Sequence, residues 1–526
     1  MYKWVIYLLR RAGGNLKNEF FSLENLQYGR QRIILDYPEV TPDNLFEVMQ
    51  KALGIHNKNR IDCEYLIRYF LGNQDILNRV ASGTSNINNK TVVNFAFPIT
   101  REIVGYTYGS PTEFIPKDME YQKDVAQLAD IYNYENSHYV DICSGIYASI
   151  CGVGYMITLP NKDISKDMTP DIPIVHNFLD PRFTFIVQSP EVGNPTILSC
   201  NYVENKVTGK RDYTCYTDKF KFEFTNMDKN TLKVSINPIS INPITMVENS
   251  IFLTGDWEQA ISVMNAQNQV TSDSLNDIEG TIKSLLVILG AEFSDEEDAD
   301  IKRIKQNRVL TLTKAVNEGG TLDAKFIAPK LESISVENIR EYLEEARNII
   351  TGIPDRSANS SGGDTGMAVL NRDGWTDIEI VARLKEMFYK KAKKQQLSVG
   401  IKILNKLGLL RDDLSVLDID ISVGRHTTDN LQTKTQAFST LVKTGELATI
   451  DALELSCLTN KSREVVERGE KFRKERQEEA KENLKQQVKT NNNEQQPSSS
   501  SEAWLNPWYL RISRKSYKFA LHTGRL

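Results

Sequence analysis

Cysteine is scarce in this chain of 526 residues: six are present, Cys63, Cys143, Cys151, Cys200, Cys215 and Cys457, and no two form a CxxC pair. That excludes a disulfide framework, gives no sign of a zinc site and fits a reducing compartment best. No stretch reaches the roughly 18 consecutive apolar residues of a membrane span. The start, 1–9, is mostly apolar, but only Lys3 comes early and Arg10 and Arg11 follow it. Without a cationic lead and a small-residue cleavage site, no signal peptide is expected. Histidine is sparse too: His56, His138, His176, His426 and His522 stand alone, none at ligand spacing. The motifs GxxxxGKS/T, GxGxxG after a strand, GxSxG and HExxH are all missing, so nucleotide binding and the common hydrolase chemistries have no support. Charge of one sign is lacking as well. The 64 Lys+Arg against 69 Asp+Glu leave a net charge of -5, which does not advertise a nucleic-acid binder. The expectation is a soluble intracellular protein, no enzyme, with no cofactor and no metal.

What is there is an ordinary globular composition, 40% apolar and 25% charged. At roughly 150 residues per domain, the length implies three or four structural units. The pattern reads as α+β and mainly helical. Residues 20–80 and 121–150 have helical character, and 91–108 form a helix stopped by Gly109-Ser110-Pro111. Short β-branched or aromatic runs at 155–159, 172–176, 183–188, 196–202, 213–218 and 221–224 read as one largely antiparallel sheet, closed by Pro238 and Pro243. Helical period then returns. Leu275, Ile278, Ile282, Leu285 and Leu289 are spaced three, four, three, four, a heptad stripe that predicts a rod helix over 266–289.

An acidic run follows, Glu292, Asp295, Glu296, Glu297, Asp298 and Asp300, which lacks the Asp-x-Asp-x-Asp-Gly geometry of a calcium loop. It reads as a solvated loop, with cation binding left open. Strands are expected at 309–312 and 325–327, and a second helix at 335–350 capped by Ser335. The segment 351–366 is too dense in Gly, Ser, Asn and Pro to be helical. A long helix is expected over 367–407, with Trp375, Ile378, Val381, Leu384, Phe388 and Ala392 as its apolar stripe and bends at Gly374 and Gly400. A strand at 416–423 and helices over 435–479 complete it. Residues 489–501 are of low complexity and expected to be disordered. The tail is different: Trp504, Trp508 and Tyr509 stand beside Arg511, Arg514, Lys515, Lys518 and Arg525, with no acid.

The informative feature is the order: rod helix, small β insertion, second helix, Gly/Ser/Asn loop, long helix. Here the sequence resembles the portal (head-to-tail connector) proteins of tailed bacteriophages, in their SPP1-like branch. Four blocks carry the resemblance: NNKTVVNFAFPITREIVGYTYGSPTEF (88–114), CGVGYMITLP with NFLDPRFTFIV (151–160 and 177–187), SLNDIEGTIKSLLVILG (274–290) and ITGIPDRSANSSGGDTGMAVL (350–370). It covers roughly 20–480, and the first and last blocks are the most specific.

The resemblance implies a portal fold with wing, stem, clip and crown, assembling into a dodecameric ring with an axial channel for double-stranded DNA. Residues 1–19 form an N-terminal extension outside the family pattern. The wing is 20–255, the first stem helix region 256–290, the clip 291–332 and the second stem helix 333–352. The tunnel loop is 353–366, the long wing helix 367–410, the crown region 411–487, and the low-complexity and basic/aromatic tail 488–526. The implied partners are the other copies of the ring, the DNA, terminase, major capsid and scaffolding proteins, and a head-completion or adaptor protein. The implied place is the capsid vertex of the virion, after synthesis in the bacterial host cytoplasm.

The tunnel-loop residues would be Asp355, Arg356, Ser357, Asn359, Ser360, Ser361, Gly362, Gly363 and Asp364, and the stem packing would use Leu275, Ile278, Ile282, Leu285 and Leu289. Physically, a channel must not grip its cargo, because each Lys or Arg contact to phosphate adds affinity and ring symmetry multiplies it. Arg356 is the candidate phosphate contact, unless it pairs with Asp355 or a neighbouring subunit. Two other readings stay open. One is a non-viral helical scaffold or adaptor binding partners through its heptad helices. The other is a metal-dependent nuclease resting on Asp295, Asp298 and Asp300.

Overall fold

The computed structural model describes residues 26–80, 87–161, 173–282, 285–289, 323–327, 333–354, 375–424, 431–445, 447–456, 458 and 462–493. The chain divides into two compact units, 1–428 and 429–526.

The first unit opens on a short strand, β1 (Ile33–Ile34), and a long helix, α1 (Leu45–Phe70). α2 (Ala96–Tyr108), β2 (Thr112–Pro116), α3 (Gln122–Tyr134) and α4 (Ser137–Cys151) follow. The strands β3 (Val153–Pro160), β4 (Ile174–Leu179), β5 (Thr184–Gln188), β6 (Thr196–Glu204), β7 (Arg211–Tyr216), β8 (Phe220–Thr225), β9 (Lys233–Ile236) and β10 (Ile244–Glu248) come next. The unit continues through α5 (Ile261–Ile282), β11 (Leu285–Leu289), β12 (Asp323–Ile327), α6 (Ser333–Thr351), α7 (Trp375–Lys406) and β13 (Ile419–Val423). The second unit holds α8 (Leu431–Thr444), α9 (Thr449–Leu455) and α10 (Ser462–Asn493).

The strands read as one sheet divide into two. Six form the order β1-β5-β6-β7-β8-β9, and three form β10-β3-β4. Only β1 is parallel to its neighbour; the others pair antiparallel. Pro243 does not close the β region as expected, since β10 starts at Ile244 and pairs with β3 along its length. Proline lacks an N–H but fits the position just before a strand. α1 lays Leu45, Val48, Met49 and Ala52, one helical face, on the larger sheet among Phe185, Val187, Leu198, Cys200, Cys215 and Phe222. Its other end carries Tyr65, Leu66, Tyr69 and Phe70 into a second core with α2, α4 and the start of α5. At its centre the fully buried Trp257 stacks on Tyr69 and donates its Nε1–H to Thr100 Oγ1 at 2.9 Å.

One further expectation is corrected. The rod helix stops at Ile282, and 285–289 is a strand paired antiparallel to β12. Its sequence is Leu-Leu-Val-Ile-Leu. Five consecutive apolar residues point to every side of a helix, while a short apolar run is what a strand carries. The three-four spacing across 275–289 therefore combined two elements. The long helix runs unbroken through Gly400 to Lys406. A β-carbon on Gly400 would lie 2.2 Å from the Tyr132 hydroxyl, so this glycine admits a close neighbour. The first unit continues to Thr428, and within it β13 pairs with β2 and buries Ile419 and Ile421 beside α3 and α7.

Candidate functional site

The described part of the region that drew attention in the sequence is a frame of three helices, α5, α6 and α7. α6 ends where the Gly/Ser/Asn loop begins. Thr351 donates its hydroxyl to the Arg347 carbonyl at 2.8 Å, and Ile353 N–H reaches back to the Asn348 carbonyl at 3.2 Å. Gly352 supplies the left-handed residue of this cap, at φ +66°, and Pro354 cannot continue the helix. A β-carbon on Gly352 would stand 2.8 Å from Val381 Cγ2, so the end of α6 lies against the first turns of α7. One turn before its end, Arg347 lays its guanidinium 3.6 Å above the Phe95 ring and bonds Glu344 at 3.0 Å.

α5 is held to the body by a polar ladder. Val93 N–H donates to Asn268 Oδ1 at 2.7 Å, Thr91 N–H to Ser272 Oγ at 3.0 Å, and Asn89 N–H to Asn276 Oδ1 at 2.7 Å. The acceptors are four residues apart on a helix, about 6.0 Å. The donors are two apart on extended chain, about 6.6 Å. The two repeats nearly match, so the segment 89–93 runs alongside α5 in the opposite sense and gives up alternate N–H groups to it. Arg79 bonds Asp273 beside this ladder. The Asn-Asn-Lys-Thr-Val-Val-Asn-Phe run that carried part of the resemblance thus has a physical role.

α7 is the spine of the unit, 32 residues and about 48 Å long. Its buried face matches the expected apolar stripe in part, at Ile378 and Ala392, and departs from it elsewhere. Leu384 is 54% exposed, while Ile378, Ala382, Lys385, Tyr389, Ala392, Lys393 and Gln396 are buried. Lys385 Nζ bonds Asp256 Oδ2 at 2.6 Å, and that carboxylate also accepts from Ser149 Oγ at 2.6 Å and Asn249 Nδ2 at 2.8 Å. Lys393 Nζ bonds Asp141 Oδ2 at 2.8 Å and Ser137 Oγ at 2.8 Å. Burial lowers the pKa of both lysines, and the facing aspartates oppose that shift. The Tyr389 hydroxyl meets Thr112 Oγ1 at 2.7 Å, so α7 is pinned at successive points along its length.

The predicted residues are distributed unevenly over this frame. Leu275 and Ile278 lie on α5, 40% and 55% exposed; Ile282 is the helix's last residue; Leu285 and Leu289 belong to β11. Asp355, Arg356, Ser357, Asn359, Ser360, Ser361, Gly362, Gly363 and Asp364 lie outside the described residues, as do Asp295, Asp298 and Asp300. Two features escaped the sequence reading. The buried lysines were hidden because charge was taken to mean solvent, although Lys385 keeps helical register with Ile378, Ala382, Tyr389 and Ala392. The ladder was hidden because its acceptors, Asn268, Ser272 and Asn276, look like a solvated face. Their spacing of four was the available signal. α6 also exposes Ile339, Tyr342, Ile349 and Ile350. No cluster of His, Cys, Asp and Glu able to hold a metal ion exists among the described residues. No described helix is long and apolar enough to cross a membrane.

A family model described as "Phage portal protein, SPP1 Gp6-like" matches residues 50–482. No curated protein matches the chain. Among solved structures, a chain from one described as "Neck of native GTA particle computed with C12 symmetry" is similar at 12% identity and a TM-score of 0.41, covering 69% of this chain and 89% of that one.

Proposed function

The chain belongs to the family of phage portal proteins, SPP1 Gp6-like, and from that premise we propose that it forms the ring at one capsid vertex through which double-stranded DNA is packaged and ejected. The family is a structural one and its members are virion components. The observation that carries the proposal is the apolar exposure of the α5–α6 pair. Leu275 and Ile278 on α5 and Ile339, Tyr342, Ile349 and Ile350 on α6 are all open to solvent in the single chain. A soluble monomer has no use for so many large apolar side chains on one helix pair, and burial against a neighbouring copy accounts for them. The pair then acts as the stem, with β11, β12 and the residues between them as the clip, the mixed body before α5 together with α7 as the wing, and α8–α10 as the crown region.

In this reading the segment between α6 and α7 is the tunnel loop, and Arg356 is its one cationic side chain before Asp364. The ring is dodecameric, with terminase, capsid and scaffolding proteins and a head-completion protein as partners. The scaffold alternative is the less favoured reading, because the chain belongs to a family of phage portal proteins.

Negative-stain microscopy with native mass measurement of the purified chain tests the proposal. Rings with a central hole, many times the mass of one chain, are expected. A monomer or dimer with no wing-and-stem outline, in the presence of capsid partners as well as alone, overturns it. Where rings form, Arg356→Ala is expected to weaken the salt dependence of DNA association. An unchanged salt slope removes Arg356 as a phosphate contact.

A further inference from the structure

Two of the scattered cysteines meet. Cys200 on β6 and Cys215 on β7 are direct partners in the register of the larger sheet. Their sulfurs are 2.7 Å apart, and neither side chain reaches solvent. Which kind of pair they form follows from the ladder. Tyr202 N–H donates to the Phe183 carbonyl at 2.9 Å, so the even-numbered residues of β6 turn their polar groups toward β5. Asn205 N–H donates to the Lys210 carbonyl at 2.8 Å, so the odd-numbered ones bond toward β7. Cys200 and Cys215 therefore face each other across a non-hydrogen-bonded site. There the Cα atoms of antiparallel strands approach to about 4.5 Å and the side chains come closest. That separation lies at the near end of the range a disulfide spans, roughly 4.4 to 6.8 Å.

We propose that Cys200 and Cys215 form a latent cross-strand disulfide, closed by a peroxide-class oxidant once the chain is no longer in a reducing compartment. The surroundings select that oxidant. The pair is sealed between the sheet and α1, with Cys215 Sγ 3.8 Å from Met49 Sδ, so a bulky disulfide such as oxidised glutathione has no route in. Hydrogen peroxide is little larger than water. A thiolate attacks one peroxide oxygen: an S–O bond forms, the O–O bond breaks, and hydroxide leaves. The second thiol attacks the resulting sulfenic sulfur: the S–S bond forms, the S–O bond breaks, and water leaves. Two thiols are oxidised by two electrons, and the peroxide is reduced to two waters. Burial pushes the Cys200 thiol well above its ordinary value, which keeps it protonated and slows the first step. The same burial shields the finished bond from thiolate attack, so the bond persists once made. Its effect is to tie β6 to β7 beneath α1.

The test uses the full chain, reduced and then treated with hydrogen peroxide in native buffer. The sample is denatured in alkylating reagent, digested and analysed by mass spectrometry. The expected result is a cross-linked peptide joining Cys200 to Cys215, lighter by two hydrogens than its dithiol form, that survives glutathione while the protein is native. A second thiol pair, Cys63 and Cys151, also touches, and peptide-level assignment separates the two. Recovery of Cys200 and Cys215 as alkylated thiols, or as sulfinic acids without linkage, overturns the proposal. So does linkage seen only after unfolding. Ring formation is scored separately on the same sample, so absence of rings with the link present sinks the assembly reading alone.

Discussion

His56 and His176 are both buried neutral. His56 Nε2 meets the Arg182 carbonyl at 3.1 Å, and His176 Nδ1 meets Thr158 Oγ1 at 2.9 Å. Burial is the main cause that drops His56 to about 4 and His176 to about 3. The unfolded chain, with ordinary histidines near 6.5, takes up those protons first. The stability of the neutral rings is thus fully present above about pH 6.5 and is lost as pH falls toward about 4 and below. Each ring contributes a slope of about 1.4 kcal/mol per pH unit. Urea unfolding between pH 7 and 4.5 is expected to show a falling midpoint. The double variant His56→Gln with His176→Gln is expected to flatten that fall; an unchanged slope rejects the assignment. Gly400 gives a prediction of opposite sign to helix propensity. In an open helix, alanine for glycine gains about 1 kcal/mol. Here the new methyl meets the fully buried Tyr132 ring, so Gly400→Ala is expected to cost about 1 to 3 kcal/mol. Adding Tyr132→Phe removes the oxygen and is expected to recover part of it, as read by chemical denaturation. Neither residue's role was legible, because glycine in a helix reads as a bend until its neighbour is known.

Between elements, the ladder on α5 makes a local prediction. Asn268→Ala, Ser272→Ala and Asn276→Ala together remove the acceptors of three backbone N–H groups. Each is expected to cost about 1 kcal/mol. Hydrogen exchange at Asn89, Thr91 and Val93 should accelerate while the strands of the larger sheet keep their protection; uniform acceleration would mean global destabilisation instead. Ile278→Asp with Tyr342→Asp tests the α5–α6 surface. Both side chains are exposed, 55% and 69%, so the single chain is expected to fold and melt as before. Assembly into rings is expected to be lost by native mass, and rings of unchanged stability would show that these side chains face solvent. At this scale the helices and most strands were legible, because periods of 3.6 and 2 are written in the residues themselves. β11 was missed because the end of a helix and a short apolar strand in succession can imitate one heptad repeat. The stripe of α7 was read only in part, because Lys385 and Lys393 are paid for by aspartates distant in sequence, Asp256 and Asp141.

For the whole molecule, the order of elements carried more than any single motif. A rod, a small β insertion, a second helix, a Gly-rich loop and a long helix are a pattern of lengths and breaks, and the family match over 50–482 agrees with it. The candidate site was legible only in outline. The helices that frame the loop were read correctly in number and order, whereas the fastening of α5 and α7 to the body was not. The sequence by itself determined the mixed helical and β class, the termination of α6 at Gly352 and Pro354, and the lack of any motif for nucleotide or metal chemistry. These follow from local rules: backbone freedom, ring closure and the spacing of donor atoms along one chain. The tertiary structure alone decided which strands share a sheet, which charges are buried, and that Cys200 stands opposite Cys215. Those outcomes depend on which distant segments pack together, and a single chain's local pattern leaves that choice to the burial of apolar faces in three dimensions.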